Sequence, residues 1–152
     1  MVTPTLYIDA DACPVTREAL AVARRHKVST VLIANATQNL GRYSDRPGVE
    51  CVQVSGGRDA ADFAIVERLE PGDVVVTGDI GLAAMVLGRD AHAISPRGRT
   101  YSRTTIDMEL AVRHAEQVHR RSGGRTKGPS PFLDEDRERF AEVLERVIAA
   151  KS

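Results

Sequence analysis

The feature of this 152-residue chain that most limits its fold is a regular alternation of short apolar runs with helical stretches. Short runs rich in valine and isoleucine are typical of parallel strands that are buried on both faces. Such runs lie at 6–8, 31–34 and 74–77, with further strand candidates at 49–54 and 91–94. Helix candidates separate them, at 15–26, 59–69 and 81–87. This β-α-β order predicts a parallel sheet with right-handed crossovers.

The predicted fold class is therefore α/β: a three-layer α/β/α sandwich around a mainly parallel sheet of about five strands. We expect one domain over residues 1–152. A fourth helix is predicted from apolar residues at helical spacing, namely Met108, Ala111, Ala115 and Val118. A Gly/Pro-rich linker follows at 122–131.

A last helix is predicted over about 134–150, with Asp134 as its N-cap. Its apolar residues form one stripe, Phe140, Val143, Leu144, Val147 and Ile148. Burial of such a stripe contributes several kcal/mol, so we expect this helix to pack on the domain.

Composition excludes several classes of protein. Hydrophobic residues make up 42% and charged residues 28% of the chain, which excludes a mostly disordered protein. No apolar run approaches the ~18 residues of a membrane span, and the first residues lack the order of a secretory signal. Two cysteines are too few for a disulfide scaffold or a structural zinc site. A cytoplasmic protein without a membrane partner is expected.

Acidic residues fall at the ends of the predicted strands, where parallel sheets bind ligands. Asp9 closes the first strand and Asp11 follows it, Asp79 follows the 74–77 run, and Asp59 and Asp62 share the first turn of a helix. Two carboxylates ~4 Å apart repel by about 4 kcal/mol at an effective dielectric near 20. Such a cluster needs protons or a cation, and ligands that are all oxygen predict Mg²⁺ or Mn²⁺.

The leading hypothesis assigns a role to each of these residues. Asp9, Asp62 and Asp79 would bind the metal directly, and Asp11 and Asp59 would bind it through water. Asp9, Asp11, Asp62 and Asp79 would be the catalytic residues of a phosphodiesterase that uses metal-activated water. Two further polar residues at strand ends would orient these groups or the water, Asn35 and Thr77.

Each of these residues also has a structural alternative. Asp59, Asp62 and Asp79 lie near predicted helix N-termini, where a carboxylate caps free N–H groups. Asp11 could cap the first helix in the same way. Cys13, beside a helix start, is either a reactive thiol of lowered pKa or a small buried residue.

A second enzyme class remains open from the same residues. Asp9-x-Asp11 after a strand is the opening of the haloacid-dehalogenase phosphatases, in which the first Asp is a nucleophile and the second an acid/base. That chemistry also needs a lysine at the site, and the only lysines are Lys27, Lys127 and Lys151. In addition, Gly78-Asp79 lacks the second Asp that usually follows.

Positive charge is concentrated in one part of the chain. Residues 89–127 hold nine basic side chains against four acidic ones, although the whole chain has no net charge. Arg97, Arg99 and Arg103, on a loop after the last strand, are predicted to bind the phosphates of RNA. The alternative is a solvated helix face with an adjoining loop.

Several motifs together resemble one family of bacterial proteins. They are Asp9-Ala10-Asp11-Ala12-Cys13-Pro14, Ala34-Asn35, Gly57 to Asp62, Val75 to Ala83, Pro96-Arg97-Gly98, Gly128-Pro129 and Asp136 to Phe140. The chain resembles the YaiI/YqxD family, which is similar to PIN-like (NYN-type) metal-dependent ribonucleases. The resemblance implies a PIN-like three-layer sandwich whose acidic cluster corresponds to the five aspartates above.

The sequence thus predicts a Mg²⁺- or Mn²⁺-dependent ribonuclease-like hydrolase. A hypothesis of another class is a non-catalytic RNA-binding or adaptor module, for which the arginines matter and the aspartates do not. The chain has three Phe, three Tyr and no Trp, which argues against a platform that stacks single-stranded bases. Whether copies of the chain associate is left open.

Overall fold

A computed structural model describes residues 3–124 and 130–150 of the chain. The strands are β1 (Leu6–Asp9), β2 (Thr30–Ala34), β3 (Val49–Gln53), β4 (Val74–Val76) and β5 (His92–Ile94). The helices are α1 (Thr16–Arg25), α2 (Arg58–Arg68), α3 (Ile80–Gly88), α4 (Ile106–Arg121) and α5 (Asp134–Ala149). Each agrees with a predicted run or helix to within a few residues.

The five strands form one wholly parallel sheet in the order β3-β2-β1-β4-β5. β1 lies in the middle, so that Tyr7 pairs with Val31 of β2 on one side and with Val75 of β4 on the other. The chain runs outward from β1 to β3, crosses back over the sheet through α2, and continues outward through β4 and β5. The predicted α/β class is confirmed.

Side chains of each strand alternate between two apolar layers. Leu6 and Ile8 of β1 point to the layer that contains α1 and α5. Tyr7, between them, points to the layer that contains α2, α3 and α4. Both faces of the sheet are therefore covered, which accounts for the continuous apolar runs of the sequence and confirms the three-layer sandwich.

The last helix packs on the domain as predicted. Phe140, Leu144 and Ile148 are fully buried against α1 and the sheet. Burial of each such side chain contributes about 1.5–3 kcal/mol. The predicted N-cap is wrong by one residue, because α5 begins at Asp134 and its N-cap is Leu133.

Asp136 fixes the start of α5. Its carboxylate accepts a hydrogen bond from the Leu133 N–H at 2.9 Å and contacts the guanidinium groups of Arg139 and Arg97. The bond from Leu133, followed by these arginines, lowers the pKa of Asp136. The carboxylate that holds this helix terminus is thus two residues beyond the predicted one.

A tight turn after β5 brings the chain against α5. Ser95 N donates a hydrogen bond to Arg99 O at 2.8 Å, and Gly98 N donates one to Ser95 O at 3.0 Å. Gly98 has a φ of +86°, and a Cβ atom there would lie 2.7 Å from Phe140 N. Glycine is needed at this position both for its backbone conformation and for the close approach of the helix.

Residues 125–129, including Gly128-Pro129 of the predicted linker, lie outside the described part of the chain, as do Met1, Val2, Lys151 and Ser152. Among the residues that are described, no helix is both long and apolar enough to cross a membrane.

Candidate active site

Four aspartates and one arginine surround a cavity of about 530 Å³ at the carboxyl edge of the sheet. Its lining residues are Asp9, Asp11, Ala12, Asn35, Ala61, Asp62, Gly78, Asp79 and Arg113. The cavity lies where β1 and β4 end side by side, at the point where the strand order reverses. Open parallel sheets bind their ligands at this position, so the topology gathers these carboxylates where a ligand is expected.

Thr77 ties together the ends of β1 and β4. Its side chain is buried, and Oγ1 donates a hydrogen bond to Asp9 Oδ2 at 3.2 Å while accepting one from the Asp79 N–H at 3.0 Å. Burial raises the pKa of Asp9, with smaller contributions from the charges of Asp11 and Asp79, although the bond from Thr77 opposes them. The hydroxyl thus orients one acidic side chain and the backbone of another.

Asp11 holds the segment that follows β2. It lies in a 3₁₀ turn, Ala10–Ala12, and its Oδ2 accepts hydrogen bonds from Asn35 N at 2.7 Å and Asn35 Nδ2 at 3.3 Å. Its Oδ1 accepts from Ala36 N at 3.2 Å and Asn39 Nδ2 at 2.9 Å. Burial raises the pKa of Asp11, but these four bonds outweigh it and lower the pKa overall. The alternative that Asp11 caps α1 is wrong, since Val15 is the N-cap of that helix.

The two aspartates of α2 differ in their surroundings. Asp62 is 9% exposed and lines the cavity, whereas Asp59 is exposed and does not. Burial and then the charges of Asp79, Asp9 and Asp59 raise the pKa of Asp62 to about 6. The N-cap of α2 is Gly57, with no side-chain cap, so the alternative in which Asp59 or Asp62 caps this helix is wrong.

For Asp79 the capping interpretation is correct, and the residue also lines the cavity. Its Oδ1 accepts hydrogen bonds from Gly81 N at 2.8 Å and Leu82 N at 3.3 Å in the first turn of α3. The same oxygen lies 3.6 Å from Arg113 Nη1. These three contacts of the Asp79 carboxylate all involve Oδ1.

Arg113 is the residue of the cavity that sequence reasoning missed. It lies in the middle of α4, and its side chain is about half exposed. Its spacing of seven and three residues from Ile106 and Leu110 becomes a signal only once these two residues are known to pack on the domain. Residues at that spacing share one side of a helix, so Arg113 had to face the domain edge.

The arginines predicted to bind phosphate do not line the cavity. Arg97 contacts Asp136 and the carbonyl oxygen of Ser130, Arg99 pairs with Glu109, and Arg103 pairs with Asp90. Each guanidinium therefore has a partner within the protein. Their predicted role in binding RNA stays a prediction.

For Cys13 the structure favours a small packed residue over a reactive thiol. Burial raises the pKa of its thiol, against the hydrogen bonds from Thr16 and Val15, and the residue packs at the margin of the apolar layer beneath α1. A thiol of raised pKa is a poor nucleophile at neutral pH.

The donor set of the cavity suits a hard divalent ion with few protein ligands. Within residues 3–124 and 130–150, no three His, Cys, Asp or Glu side chains are close enough together to enclose a metal. The lining residues offer carboxylate and amide oxygens only, and Mg²⁺ is commonly bound by one or two carboxylates while it keeps several waters. A cation would also relieve the repulsion that contributes to the raised pKa values of Asp9 and Asp62.

The fold and the cavity define an open, parallel α/β protein with an acidic site at its topological switch point. The DUF188 family model, described as "Uncharacterized BCR, YaiI/YqxD family", matches residues 7–150. This chain belongs to the YaiI/YqxD family.

Relatives in three bacteria are similar along nearly their whole length. A UPF0178 protein of Caulobacter vibrioides is 44% identical over 144 residues, which cover 95% of this chain and 92% of the relative. The UPF0178 protein of Halalkalibacterium halodurans is 38% identical over 147 residues, 97% of this chain and 92% of the relative. The UPF0178 protein of Brucella ovis is 43% identical over 146 residues, which cover 96% of this chain and 89% of the relative. No solved structure matches the chain, and the relation to PIN-like nucleases stays a prediction.

Proposed function

We propose that the protein is a Mg²⁺- or Mn²⁺-dependent phosphodiesterase that hydrolyses RNA. One observation carries this function: Asp9, Asp62 and Asp79 reach one open cavity from three separate elements, beside the guanidinium of Arg113. Clustered carboxylates need protons or a cation, and hydrolysis of a phosphodiester needs positive charge at its oxygens. A cavity that offers both suits this reaction.

No more than two of the three carboxylates of Asp9, Asp62 and Asp79 would hold the ion directly, and the third would act through water, as would Asp11. When bound, such an ion polarises a phosphodiester and lowers the pKa of a water molecule. Because Oδ1 of Asp79 accepts two backbone hydrogen bonds, Oδ2 is the oxygen available to an ion. Asp79 would thus cap α3 and bind metal at the same time.

The remaining polar groups of the cavity would position reactants. Thr77 fixes the orientation of Asp9 through the bond to Oδ2. Asn35 is itself held by Asp11 through both its backbone and its side chain, which would leave its side-chain oxygen to orient water. Arg113 would hold a non-bridging phosphate oxygen, a contact for which the planar guanidinium is well suited.

The shape of the surface favours a polymeric substrate. A second hollow of about 310 Å³ shares Asp79 and Arg113 with the acidic cavity and continues past His114 and Gln117 along α4. Two adjoining hollows form a groove longer than one nucleotide phosphate requires. The exposed residues farther along this helix include Arg120 and Arg121, which would add favourable charge for a polyanion.

Metal binding and cleavage test this function separately. Calorimetric titration with Mn²⁺ should show binding that Asp9→Asn and Asp79→Asn weaken, and short single-stranded RNAs should be cleaved only with the metal. Asp134→Asn is the matched control, since that side chain is 98% exposed and belongs to α5. Unchanged Mn²⁺ affinity in Asp9→Asn would refute the ligand role.

Two other experimental results would favour one of the alternative functions, the phosphatase or the adaptor module. An aspartyl-phosphate or a beryllofluoride adduct at Asp9 would indicate the phosphatase, although Lys27 lies between α1 and β2 at the opposite edge of the sheet. Lys127 and Lys151 lie outside the described residues. RNA binding without cleavage, unaffected by Asp79→Ala, would indicate the adaptor module.

A further inference from the structure

A basic groove lies on the other side of Asp11 from the acidic cavity. It consists of two adjoining hollows of about 420 and 390 Å³ that share Cys13, Thr16, Arg42 and Tyr43. Arg17 and Glu18 of α1 and Arg137 of α5 complete the larger one. We call these residues, with Asn39 and Pro14, the basic groove. Nothing in the acidic cavity requires three arginines here.

The charge of the basic groove is strongly positive. Three arginines face one carboxylate, Glu18, which lies 3.3 Å from Arg137 Nη1. Arg137 is also held by Pro14 O at 2.6 Å, so its position is fixed. Arg17 and Arg42 are exposed, and neither forms an ion pair with any other described residue. Two guanidinium groups with open hydrogen-bonding capacity suit a phosphate group.

One side-chain pair separates the basic groove from the acidic cavity. Asn39 lines the groove, and its Nδ2 donates to Asp11 Oδ1 at 2.9 Å, while Asp11 lines the cavity. A strand of nucleic acid whose scissile phosphate occupies the cavity would therefore have a neighbouring part of its backbone near Arg17 and Arg42. We propose that the basic groove binds a backbone phosphate of the same RNA strand, which rests on the function proposed above for the nature of the ligand.

Binding of RNA in EDTA tests this groove without any cleavage. Fluorescence anisotropy with a labelled single-stranded RNA should show an affinity roughly tenfold lower for Arg17→Gln/Arg42→Gln. The slope of log affinity against log salt should become shallower by about 0.7, since the groove binds one phosphate and each phosphate contact to a single strand contributes about 0.7. Arg24→Gln/Arg89→Gln removes the same charge from exposed positions that line neither hollow and should have a smaller effect.

Three results would overturn the proposal. One is equal weakening by the two double variants, and another is absence of RNA binding by the unsubstituted chain. The third is a loss confined to RNA that carries a 5′-phosphate and is competed by inorganic phosphate, which would assign the groove to a terminal or free phosphate. Because Arg17 and Arg42 do not line the acidic cavity, metal-dependent cleavage by the unsubstituted chain is judged independently.

A separate observation concerns the outer side of α4. Met108, Val112 and Val118 are 73%, 53% and 46% exposed, and all residues from 111 to 121 are exposed. The stripe predicted from the sequence, Met108, Ala111, Ala115 and Val118, has the three-four-three spacing of a coiled-coil seam. The structure turns this seam away from the domain, because Ile106 and Leu110 occupy the packed side.

The charged residues beside this seam are complementary to those of a second, antiparallel copy of α4. Asp107 lies at the start of α4 and Arg121 at its end. In an antiparallel pair of these helices about a two-fold axis near His114, each Asp107 lies beside the partner subunit's Arg121. We infer that a second copy of the chain covers this seam.

Sedimentation of the full chain over a range of concentrations tests the pairing. A dimer is expected, and Met108→Glu/Val118→Glu should make it monomeric. Asp107→Arg should weaken association, and Asp107→Arg/Arg121→Asp should restore it, an outcome that only an antiparallel pairing of these two residues predicts. A monomer at all concentrations, or failure of the double reversal to restore association, would overturn the inference.

Discussion

The hydroxyl group of Thr77 donates a hydrogen bond to Asp9 Oδ2 across the junction of two neighbouring strands, at 3.2 Å. Thr77 Oγ1 also accepts a hydrogen bond from the Asp79 N–H. One small side chain thus couples the central strand of the sheet to the loop that begins α3.

Replacement of Thr77 by valine keeps the size of the side chain but removes both hydrogen bonds. The partly buried Asp79 N–H and Asp9 carboxylate each lose a partner, and a group left unsatisfied costs about 1–3 kcal/mol. We expect Thr77→Val to lower the free energy of unfolding in urea by about that amount and to weaken Mn²⁺ binding. Thr77→Ser, which retains the hydroxyl, is the control. Equal behaviour of the two variants in Mn²⁺ titration would remove the positioning role.

The raised pKa of Asp62 makes stability depend on pH. Folding raises this pKa from 3.8 to about 6, so the folded state binds a proton more readily than the unfolded chain. The free energy of unfolding is therefore unaffected by this group below about pH 4. It falls as the pH rises from about 4 to 6 and is constant above that.

Asp62→Asn should therefore stabilise the protein above about pH 6, by about 1–2 kcal/mol after allowance for screening at the open cavity, and not at pH 4. Urea unfolding in EDTA at several pH values measures this. Added Mn²⁺ should reverse the order of the two proteins. A difference that does not vary with pH would contradict the assignment.

Gly98 is expected to tolerate no side chain. The Cβ of alanine would lie 2.7 Å from Phe140 N and 2.8 Å from Arg139 C, both backbone atoms, and the φ of +86° is itself unfavourable. We expect Gly98→Ala to cost about 2–4 kcal/mol in thermal or chemical unfolding. Gly88→Ala, where nothing lies within 4 Å, should be neutral or slightly stabilising.

Apolar packing, and not surface charge, should hold α5 in place. Phe140→Ala removes a fully buried side chain and should cost about 3–5 kcal/mol. Glu145 contacts Arg25 at 2.6 Å and His26 at 2.7 Å, but the side chains of Arg25 and Glu145 are 58% and 38% exposed. Glu145→Gln should therefore change the free energy of unfolding by no more than the error of the measurement. The opposite order would mean that the ion pairs hold the helix.

The parts of the fold that could be predicted from sequence are those governed by burial alone. The run 74–77 is apolar because β4 is covered on both faces, and its type and place followed directly. The convergence of Asp9 and Asp79 followed from a rule of topology, since both come after parallel strands. Neither inference required knowledge of a particular side-chain contact.

The parts that were missed depend on contacts between distant elements. Periodicity predicted α4 but could not tell which side faces the domain, and the seam with Met108 turned outward. Loop spacing likewise could not reveal that Glu109 and Asp90 would pair with Arg99 and Arg103. Arg113 was overlooked because its role arises only when α4 lies over the strand ends.

Because β1 is the central strand, its position affects both the acidic site and the stability of the fold. Asp9 stands at the end of the strand at which the two halves of the sheet meet, with β2 on one side and β4 on the other. Any substitution that shifts this strand disturbs both halves and the acidic site together, so affinity for a metal and resistance to denaturation cannot be altered independently there. Arg113 lies on α4, outside the sheet, so the position of its guanidinium group can change while the sheet stays unchanged.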